Sequence, residues 1–251
     1  MGSVDWPHLL LKADDMMEKI NRTFLVVLLV LSFSWLKAAS PLAQAPKEFT
    51  RTTKKGDLSY LITLPNNYRQ DTQHKSPLLL FLHGGDGSNT RHNPRKYAPD
   101  PDLPLIILAP QAPSGGWSSV DFNTLLKEVS AEYNVDPDRI YLTGYSMGGY
   151  GVWDLLSRNP EWFAAAVPIA GGGDAERICK AKNVSVWAIH GDQDDVIPHS
   201  ESEKMINALK KCGADAQLTL YPGVKHPSWI QAYKDPAFYK WLLNHRKKSR
   251  S

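Results

Sequence analysis

Residues 139–157 read RIYLTGYSMGGYGVWDLLS. A short run rich in β-branched and aromatic residues leads into the turn GYSMG, residues 144–148, and a helical pattern follows the turn. This is a Gly-x-Ser-x-Gly nucleophile turn, in which the two glycines leave room where a Cβ would clash with neighbouring backbone. The stretch therefore predicts a strand, a tight turn and a helix that together present the hydroxyl of Ser146 as a nucleophile.

From Glu48 onward, short apolar runs alternate with helical patterns. Near-continuous apolar strands separated by amphipathic helices indicate an α/β fold with a mostly parallel central sheet and helices on both faces. We expect the first two strands, divided by residues 54–57, to form an antiparallel hairpin at one edge. The predicted strands are Leu58–Leu64, Leu78–Leu82, Leu105–Ala109, Ile140–Thr143, Ala164–Ala170, Val184–Ile189 and Gln217–Tyr221, and the predicted helices are Phe122–Tyr133, Gly148–Ser157, Glu201–Lys211 and Pro236–Asn244.

Two loops that follow predicted strands carry the partners that such a serine needs. Ligands gather at the carboxyl ends of parallel strands, so catalytic side chains are expected just after the strand runs. The loop after Gln217–Tyr221 ends in His226, which we expect to act as the general base that takes the proton of Ser146. An acid-rich loop follows Val184–Ile189, so the chain order is serine, acid, histidine.

Three aspartates of the acid-rich loop compete for the role of the catalytic acid. We choose Asp194 because it stands four residues beyond His190, just before the Val-Ile-Pro at which apolar packing resumes. Asp192 and Asp195 are then expected to shape the loop through caps or local hydrogen bonds. The sequence alone leaves all three open.

A pair of backbone N–H groups that could bind an oxyanion is expected beside the serine. One belongs to Met147, the residue after the nucleophile, and the other to Gly85 in the loop after Leu78–Leu82. That loop reads HGGDG from residue 83, and its glycines allow close approach to a carbonyl oxygen. It lacks the lysine and the spacing of a phosphate-binding loop. We expect His83 to orient the loop rather than to act as a second base.

The composition fits one globular domain. Of the 251 residues, 42% are hydrophobic and 22% are charged, and the formal net charge is +3 with acids and bases interspersed. The basic residues among positions 246–250 are expected to form a solvated end rather than a nucleic-acid footprint. We predict a catalytic domain over residues 46–251 and no nucleic-acid partner.

Residues 1–45 are predicted to be an N-terminal extension with a secretory signal peptide. The apolar run Phe24–Leu36 is preceded by basic residues and followed by small residues that end in Ala45. A helix of this length would span about 20 Å, less than the roughly 30 Å hydrocarbon core of a membrane. We therefore expect a secreted or periplasmic protein. The alternative is an uncleaved anchor, which would be the chain's one membrane contact.

The two cysteines, Cys179 and Cys212, each precede a predicted strand by five residues. If those strands are neighbours, both sulfur atoms lie at the end of the sheet away from Ser146. A disulfide and a pair of buried thiols both fit this pattern. No spacing of His and Cys residues suggests a metal site, so we predict no metal and no cofactor.

Four stretches of the sequence resemble those of α/β-hydrolases, and the resemblance covers roughly residues 48–246: LHGG at 82–85, GYSMGG at 144–149, HGDQDDVIP at 190–198 and YPGVKH at 221–226. They are similar to the carboxylesterase/phospholipase-like, dienelactone hydrolase-like and prolyl oligopeptidase-like branch, which includes exported peptidases and feruloyl or polyhydroxybutyrate esterases. Dienelactone hydrolases proper use a cysteine nucleophile, so Ser146 argues against lactone chemistry of that type. The short segment Gly171–Asn183 predicts that the α/β-hydrolase fold has no large cap domain and that its active site is open.

These features predict a serine hydrolase that cleaves carboxylic esters through an acyl-enzyme. The expected substrate is a small-molecule or polysaccharide-linked ester, and Trp117, Tyr145 and Trp229 would stack on a sugar or an aryl acyl group in the cleft. The alternative within enzymes is a serine peptidase of the prolyl oligopeptidase-like type. A further alternative, from a different class, is a catalytically inactive fold that serves as a binding module.

Overall fold

The computed structural model describes residues 47–53, 56–68, 73–85, 93–98 and 103–247. The signal segment Phe24–Leu36, the domain boundary at residue 46 and the hairpin turn at residues 54–55 involve positions outside these ranges, so the statements about them stay predictions. Within the described ranges, no helix combines the length and the apolar character needed to cross a membrane.

A single sheet organises the described part of the chain. Its eight strands are β1 (Lys47–Thr53), β2 (Gly56–Thr63), β3 (Ser76–Leu82), β4 (Ile106–Pro110), β5 (Val135–Tyr145), β6 (Ala165–Ile169), β7 (Ser185–Gly191) and β8 (Ala216–Tyr221). The spatial order is β1-β2-β4-β3-β5-β6-β7-β8. Strands β3 to β8 run parallel, whereas β2 pairs antiparallel with both β1 and β4. The predicted mostly parallel sheet, with an antiparallel hairpin at its edge, is confirmed.

Helices cover both faces of this sheet: α1 (Phe122–Glu132), α2 (Met147–Arg158), α3 (Ser200–Lys211), α4 (Ser228–Ala232) and α5 (Pro236–Leu243). Four of them agree with the predicted helices to within one residue at each end. Helix α4 was not predicted, because its five residues are too few to display a helical periodicity. Strand β5 also begins five residues earlier than predicted, at Val135, because its first half contains exposed polar residues that interrupt the apolar run.

Alternation along β3 explains how one strand serves two cores. Leu78, Leu80 and Leu82 belong to the hydrophobic cluster under α1, α2 and α3, whereas Leu79 and Phe81 belong to the cluster under α4 and α5. Successive side chains of a strand point to opposite faces, so a strand that is covered on both faces must be apolar throughout. All of these side chains are fully buried. This rigid central strand carries the loop that begins at His83.

A disulfide joins Cys179 and Cys212, whose Cα atoms lie 5.7 Å apart. Cys179 lies in a 3-10 turn, Ile178–Ala181, between β6 and β7, and Cys212 follows α3 directly. Because β7 and β8 pair in parallel, both cysteines lie at the amino ends of neighbouring strands, opposite to the end that carries Ser146. Of the two alternatives that the sequence left open, the structure contains the bonded pair.

Replacing both cysteines by serine is expected to lower the free energy of unfolding by about 3 to 4 kcal/mol, because the bond closes a loop between residues 33 positions apart and restricts the unfolded chain. A urea unfolding curve in the absence of reductant measures this change. An unchanged urea midpoint would show that the crosslink does not constrain the unfolded chain.

Candidate active site

Ser146 lies between the last residue of β5 and the first residue of α2, in a strained turn. Its φ is 54° and its ψ is −119°, so the backbone occupies the positive-φ region that favours glycine. The turn is tight because a Cβ on Gly144 would lie 2.7 Å from the carbonyl oxygen atoms of both Gly148 and Leu82. Only glycine fits there, and the hydroxyl of Ser146 projects from the carboxyl end of the sheet.

A continuous chain of hydrogen bonds connects Ser146 with His226 and Asp194. The Nε2 atom of His226 lies 3.0 Å from Oγ of Ser146, and its Nδ1 atom lies 2.7 Å from Oδ2 of Asp194. A carboxylate can only accept, so Nδ1 of His226 carries the proton and Nε2 is free to accept the hydrogen bond of the Ser146 hydroxyl. The structure therefore brings together all three side chains of the predicted triad, in the arrangement a general base requires.

The three competing aspartates have different partners. The carboxylate of Asp192 accepts from the backbone N–H of Gly223 at 2.7 Å. Asp195 forms a 3.0 Å ion pair with Lys225, and more than half of its side chain is exposed. The side chain of Asp194 is fully buried, and Asp194 is the one of the three that contacts His226. The geometry thus favours the choice of Asp194 over its two neighbours.

The environment of Asp194 stabilises its ionised form. Burial alone would raise the pKa of this carboxyl, but the hydrogen bond from His226 and those from the backbone N–H groups of Ile197 and Val196 outweigh it, so the pKa lies below its ordinary value. The two backbone bonds reach Oδ1 at 2.8 and 2.9 Å. Asp194 is therefore a carboxylate at neutral pH, with a fixed orientation.

His83 holds the peptide that contains the predicted oxyanion donor Gly85. The backbone N–H of Ala112 donates to Nε2 of His83 at 2.9 Å, so the proton of the neutral ring is on Nδ1, which donates to the carbonyl oxygen of Gly84 at 2.7 Å. In a trans peptide the C=O and N–H bonds point in opposite directions. His83 is buried and Gly85 is exposed, so the N–H of Gly85 is directed away from the interior. Met147, the second predicted donor, is the first residue of α2.

The three aromatic residues predicted to bind substrate are buried instead. Trp117, Tyr145 and Trp229 are 4%, 2% and 8% exposed, so their ring faces are not available for stacking on a ligand. Trp117 donates from its indole N–H to the carbonyl oxygen of His83, and Tyr145 stacks on Trp229 with ring centroids 4.3 Å apart. The prediction that these three rings stack on a substrate in the cleft is therefore wrong, because the rings pack against other protein atoms.

Trp229 also contacts the predicted base. Its ring meets that of His226 edge to face, with centroids 5.2 Å apart. Tyr145 stacks on Trp229, and the ring of Tyr145 leaves no space for a Cβ on Gly84. This contact chain connects the base with the loop that holds Gly85, and it limits the ring of His226 to a small range of positions.

Three residues near the site were given no role by the sequence: the buried His190 and the exposed Tyr150 and Val196. His190 is fully buried against Asp194, with 3.1 Å between Nε2 and Oδ2. The position of His190 near the end of β7, directly before the acid-rich loop, is the sequence feature that could have indicated a role in the site. Among the described residues, the exposed large apolar side chains are those of Tyr150, one helical turn beyond Ser146, and Val196, two residues beyond Asp194.

Within the ranges that the structure describes, no three His, Cys, Asp or Glu side chains are grouped in a way that could hold a metal ion.

Comparison with known proteins yields one family and several related enzymes. Residues 117–236 match the dienelactone hydrolase family. The bifunctional acetylxylan esterase/xylanase XynS20E of Neocallimastix patriciarum is 26% identical over 167 residues, which cover 61% of this chain and 25% of that protein. Dipeptidyl-peptidase 5 of Porphyromonas gingivalis is 24% identical over 271 residues, which cover 82% of this chain and 38% of that protein. The chain thus spans less than half the length of either relative.

Among solved structures, that of a thermostable esterase has a TM-score of 0.72 and 28% sequence identity to this chain, and the match covers 80% of this chain and 63% of the esterase. Together with the strand order, this match confirms that the fold is that of an α/β-hydrolase.

Proposed function

We propose that this protein, an α/β-hydrolase with a dienelactone hydrolase family domain at residues 117–236, is a serine hydrolase that cleaves carboxylic esters. The observation that carries the proposal is the hydrogen-bonded chain from Ser146 through His226 to Asp194 at the carboxyl end of the sheet. The esterases among its relatives support the same reaction class.

In the proposed reaction, Oγ of Ser146 attacks the ester carbonyl carbon while Nε2 of His226 takes the hydroxyl proton. The carboxylate of Asp194 stabilises the resulting imidazolium, and the N–H groups of Gly85 and Met147 stabilise the negative charge on the carbonyl oxygen. The imidazolium then gives its proton to the departing alcohol, which leaves an acyl group on Ser146. Water, deprotonated by His226, attacks this acyl group, and the collapse of the second tetrahedral intermediate releases the acid and restores the serine.

The proposed substrate is a small-molecule or polysaccharide-linked ester. The similarity to an acetylxylan esterase supports an ester that is attached to a sugar chain. The exposed side chains of Tyr150 and Val196, near Ser146 and Asp194, offer an aromatic ring and an apolar group to such a substrate. Burial and the negative charges of Glu201 and Asp194 raise the pKa of Tyr150, so its hydroxyl stays protonated and can donate a hydrogen bond.

A serine peptidase is the second candidate, because the similarity to a dipeptidyl-peptidase extends over 82% of this chain. Both candidates use the same side chains, so only the substrate distinguishes them. A panel of acetyl, longer acyl, feruloyl and acetylated-sugar esters, together with peptide amides, tests the choice on the purified protein. Ester hydrolysis that is lost in Ser146→Ala supports the esterase, and hydrolysis of the amides alone would reverse the assignment.

We further propose that the chain is exported, with residues 1–45 as the signal-bearing extension and residues 46–251 as the catalytic domain. The layout of basic, apolar and small residues before Pro46 supports this. N-terminal sequencing of the protein recovered from outside the cytoplasm tests it, with a start near residue 46 as the expected result. A start within the first 45 residues, in a membrane fraction, would favour the uncleaved anchor.

Removal of the His83 ring is expected to lower kcat by about 10², with little change in KM. The ring orients the peptide whose N–H serves the oxyanion, and the loss of one such donor has an effect of this size on the chemical step. Steady-state kinetics of His83→Ala on the best ester measure it. His83→Asn, which retains a short side-chain N–H next to Gly84, should recover part of the rate. A rise in KM with unchanged kcat would contradict the role of His83 in orienting the donor.

A further inference from the structure

The proposed mechanism makes no use of His190, although this titratable side chain is buried beside the site. Both of its ring nitrogens have partners. Nε2 lies 2.9 Å from the carbonyl oxygen of Ile197 and 3.1 Å from Oδ2 of Asp194, and Nδ1 lies 2.8 Å from Oγ of Ser202. The side chain is fully buried. A polar group so enclosed is costly unless its bonds are satisfied, so these contacts define its protonation.

The partners determine which nitrogen carries the proton. The carbonyl oxygen of Ile197 and the carboxylate of Asp194 can only accept, so Nε2 of His190 must be the donor, and its one N–H is shared between these two oxygen atoms. Burial lowers the pKa of His190, and the hydrogen bond to Ile197 and the charge of Asp194 offset this only in part, so the ring is neutral at neutral pH. The hydroxyl of Ser202 faces two acceptors, Nδ1 of the neutral His190 ring at 2.8 Å and the carbonyl oxygen of Gly171 at 3.0 Å, and its one proton is shared between them. His190 is therefore fixed as the Nε2–H tautomer.

One oxygen atom of Asp194 consequently accepts from two histidines. Oδ2 lies 2.7 Å from Nδ1 of His226 and 3.1 Å from Nε2 of His190, whereas Oδ1 is occupied by two backbone N–H groups. A carboxylate that accepts four hydrogen bonds cannot rotate without breaking several of them. A donor other than His226 on Oδ2 also draws electron density from that oxygen, so the oxygen stabilises the imidazolium form of His226 less strongly.

We propose that His190 is a positioning residue, which holds Oδ2 of Asp194 and moderates the attraction of that oxygen for the imidazolium form of His226. The inference rests on the proposed triad and adds to it a fourth member that never touches the substrate. Without His190, Oδ2 of Asp194 loses its second donor and attracts the imidazolium form of His226 more strongly, so the pH midpoint of labelling is expected to rise. The carboxylate is also held less firmly, which is expected to lower the maximal rate.

Other titratable groups face this cluster from neighbouring elements. His199, the residue before α3, acts on His190, and Tyr150 of α2 acts on Asp194. His199 is half-exposed and lies 3.6 Å from Glu203. Because His199 and Glu203 are both accessible to solvent, salt screens their influence on the site, whereas the contact between His190 and Asp194 is fully buried.

The side chains of asparagine and glutamine provide a matched pair of variants. The amide of Gln reaches about as far as Nε2 of histidine and can still donate to Asp194, whereas the shorter amide of Asn reaches only as far as Nδ1 and the contact with Ser202. The readout is the rate at which a fluorophosphonate labels Ser146, measured from pH 5 to pH 9, since it needs no knowledge of the natural substrate. Circular dichroism of each variant checks that it is folded.

For His190→Asn we expect the maximal labelling rate to fall about 10- to 100-fold, the effect of losing one hydrogen bond to a charged acceptor. We also expect the pH midpoint of labelling to rise by about half a unit to one unit. His190→Gln should retain the midpoint of the unaltered protein. If the Asn variant does not fold, His190→Phe, which fills the same space without an N–H, is expected to show the same slower rate and raised midpoint.

Equal midpoints in the unaltered protein, His190→Asn and His190→Gln would overturn the proposal, because a merely structural role changes the amount of active protein and not its pH profile. A nitrogen NMR spectrum of the unaltered protein provides a test without substitution. The Nε2–H tautomer of His190 is expected at pH 7, and the Nδ1–H tautomer would also overturn the proposal. If Ser146 is not labelled at all, the proposed hydrolase function fails, and the NMR result still decides the tautomer of His190.

Discussion

Replacement of Ser146 by alanine is expected to lower kcat on the best ester by a factor on the order of 10⁶, and to abolish fluorophosphonate labelling. Without Oγ no acyl-enzyme can form, whatever the state of His226. The N–H groups of Gly85 and Met147 would still polarise a bound carbonyl, so a residual rate above that of water is expected. Initial rates on the ester panel, at enzyme concentrations high enough to detect the residual activity, measure the loss.

The matched control for this variant is Ser118→Ala, which removes an exposed serine from the turn after Trp117. Labelling and hydrolysis should both persist in the control. The backbone of Ser146 has a positive φ, which strains alanine as much as it strains serine. The urea midpoint of Ser146→Ala should therefore be close to that of the unaltered protein. Labelling that continues unchanged in Ser146→Ala would exclude this serine as the nucleophile.

Replacement of Asp194 by asparagine is expected to lower kcat by about 10⁴. Asparagine has nearly the same shape, so the effect is electrostatic. Its amide can present N–H₂ to Nδ1 of His226, which then accepts, and the ring proton moves to Nε2, where it blocks the proton transfer from Ser146. The loss of the carboxylate also removes the charge that stabilises the imidazolium. Steady-state kinetics and the labelling rate measure both effects.

Asp195→Asn is the matched control for Asp194→Asn, because Asp195 is the next residue and its ion pair with Lys225 lies at the surface. Exposed ion pairs contribute little, so its kcat should remain within about twofold of the original value. Asp192→Asn should behave in the same way, since Asp192 contacts the backbone of Gly223 rather than His226. If Asp195→Asn caused the larger loss, the acid would have to be reassigned.

The strands and the serine turn were predictable from the sequence because their causes are local. A strand that is buried on both faces must be apolar, and the turn admits only glycine at Gly144, so each produces a recognisable pattern within a short segment of sequence. Helix α4 produces no such pattern, since its five residues make little more than one helical turn and show no periodicity. Its Trp229 nevertheless packs against His226, so an element that sequence reasoning missed helps to hold the predicted base.

The prediction that Trp117, Tyr145 and Trp229 stack on a substrate was wrong because the burial of a ring depends on tertiary contacts. The sequence shows an aromatic side chain but not which of its faces other protein atoms cover. The structure turns the three rings inward, because two of them stack on one another and the indole of Trp117 donates to the backbone of His83. An aromatic side chain beside a catalytic residue can serve packing or binding, and only the surrounding atoms distinguish these roles.

The sequence by itself determined the fold class, the serine turn and the order of the candidate catalytic residues, because period, glycine placement and chain order are properties of the chain. Only the tertiary structure distinguished Asp194 from Asp192 and Asp195 and brought His190 into contact with the same carboxylate oxygen. These features depend on distances between atoms of β7, β8 and their loops. Such distances follow from the parallel pairing of two strands that are far apart in sequence, and no local pattern records them.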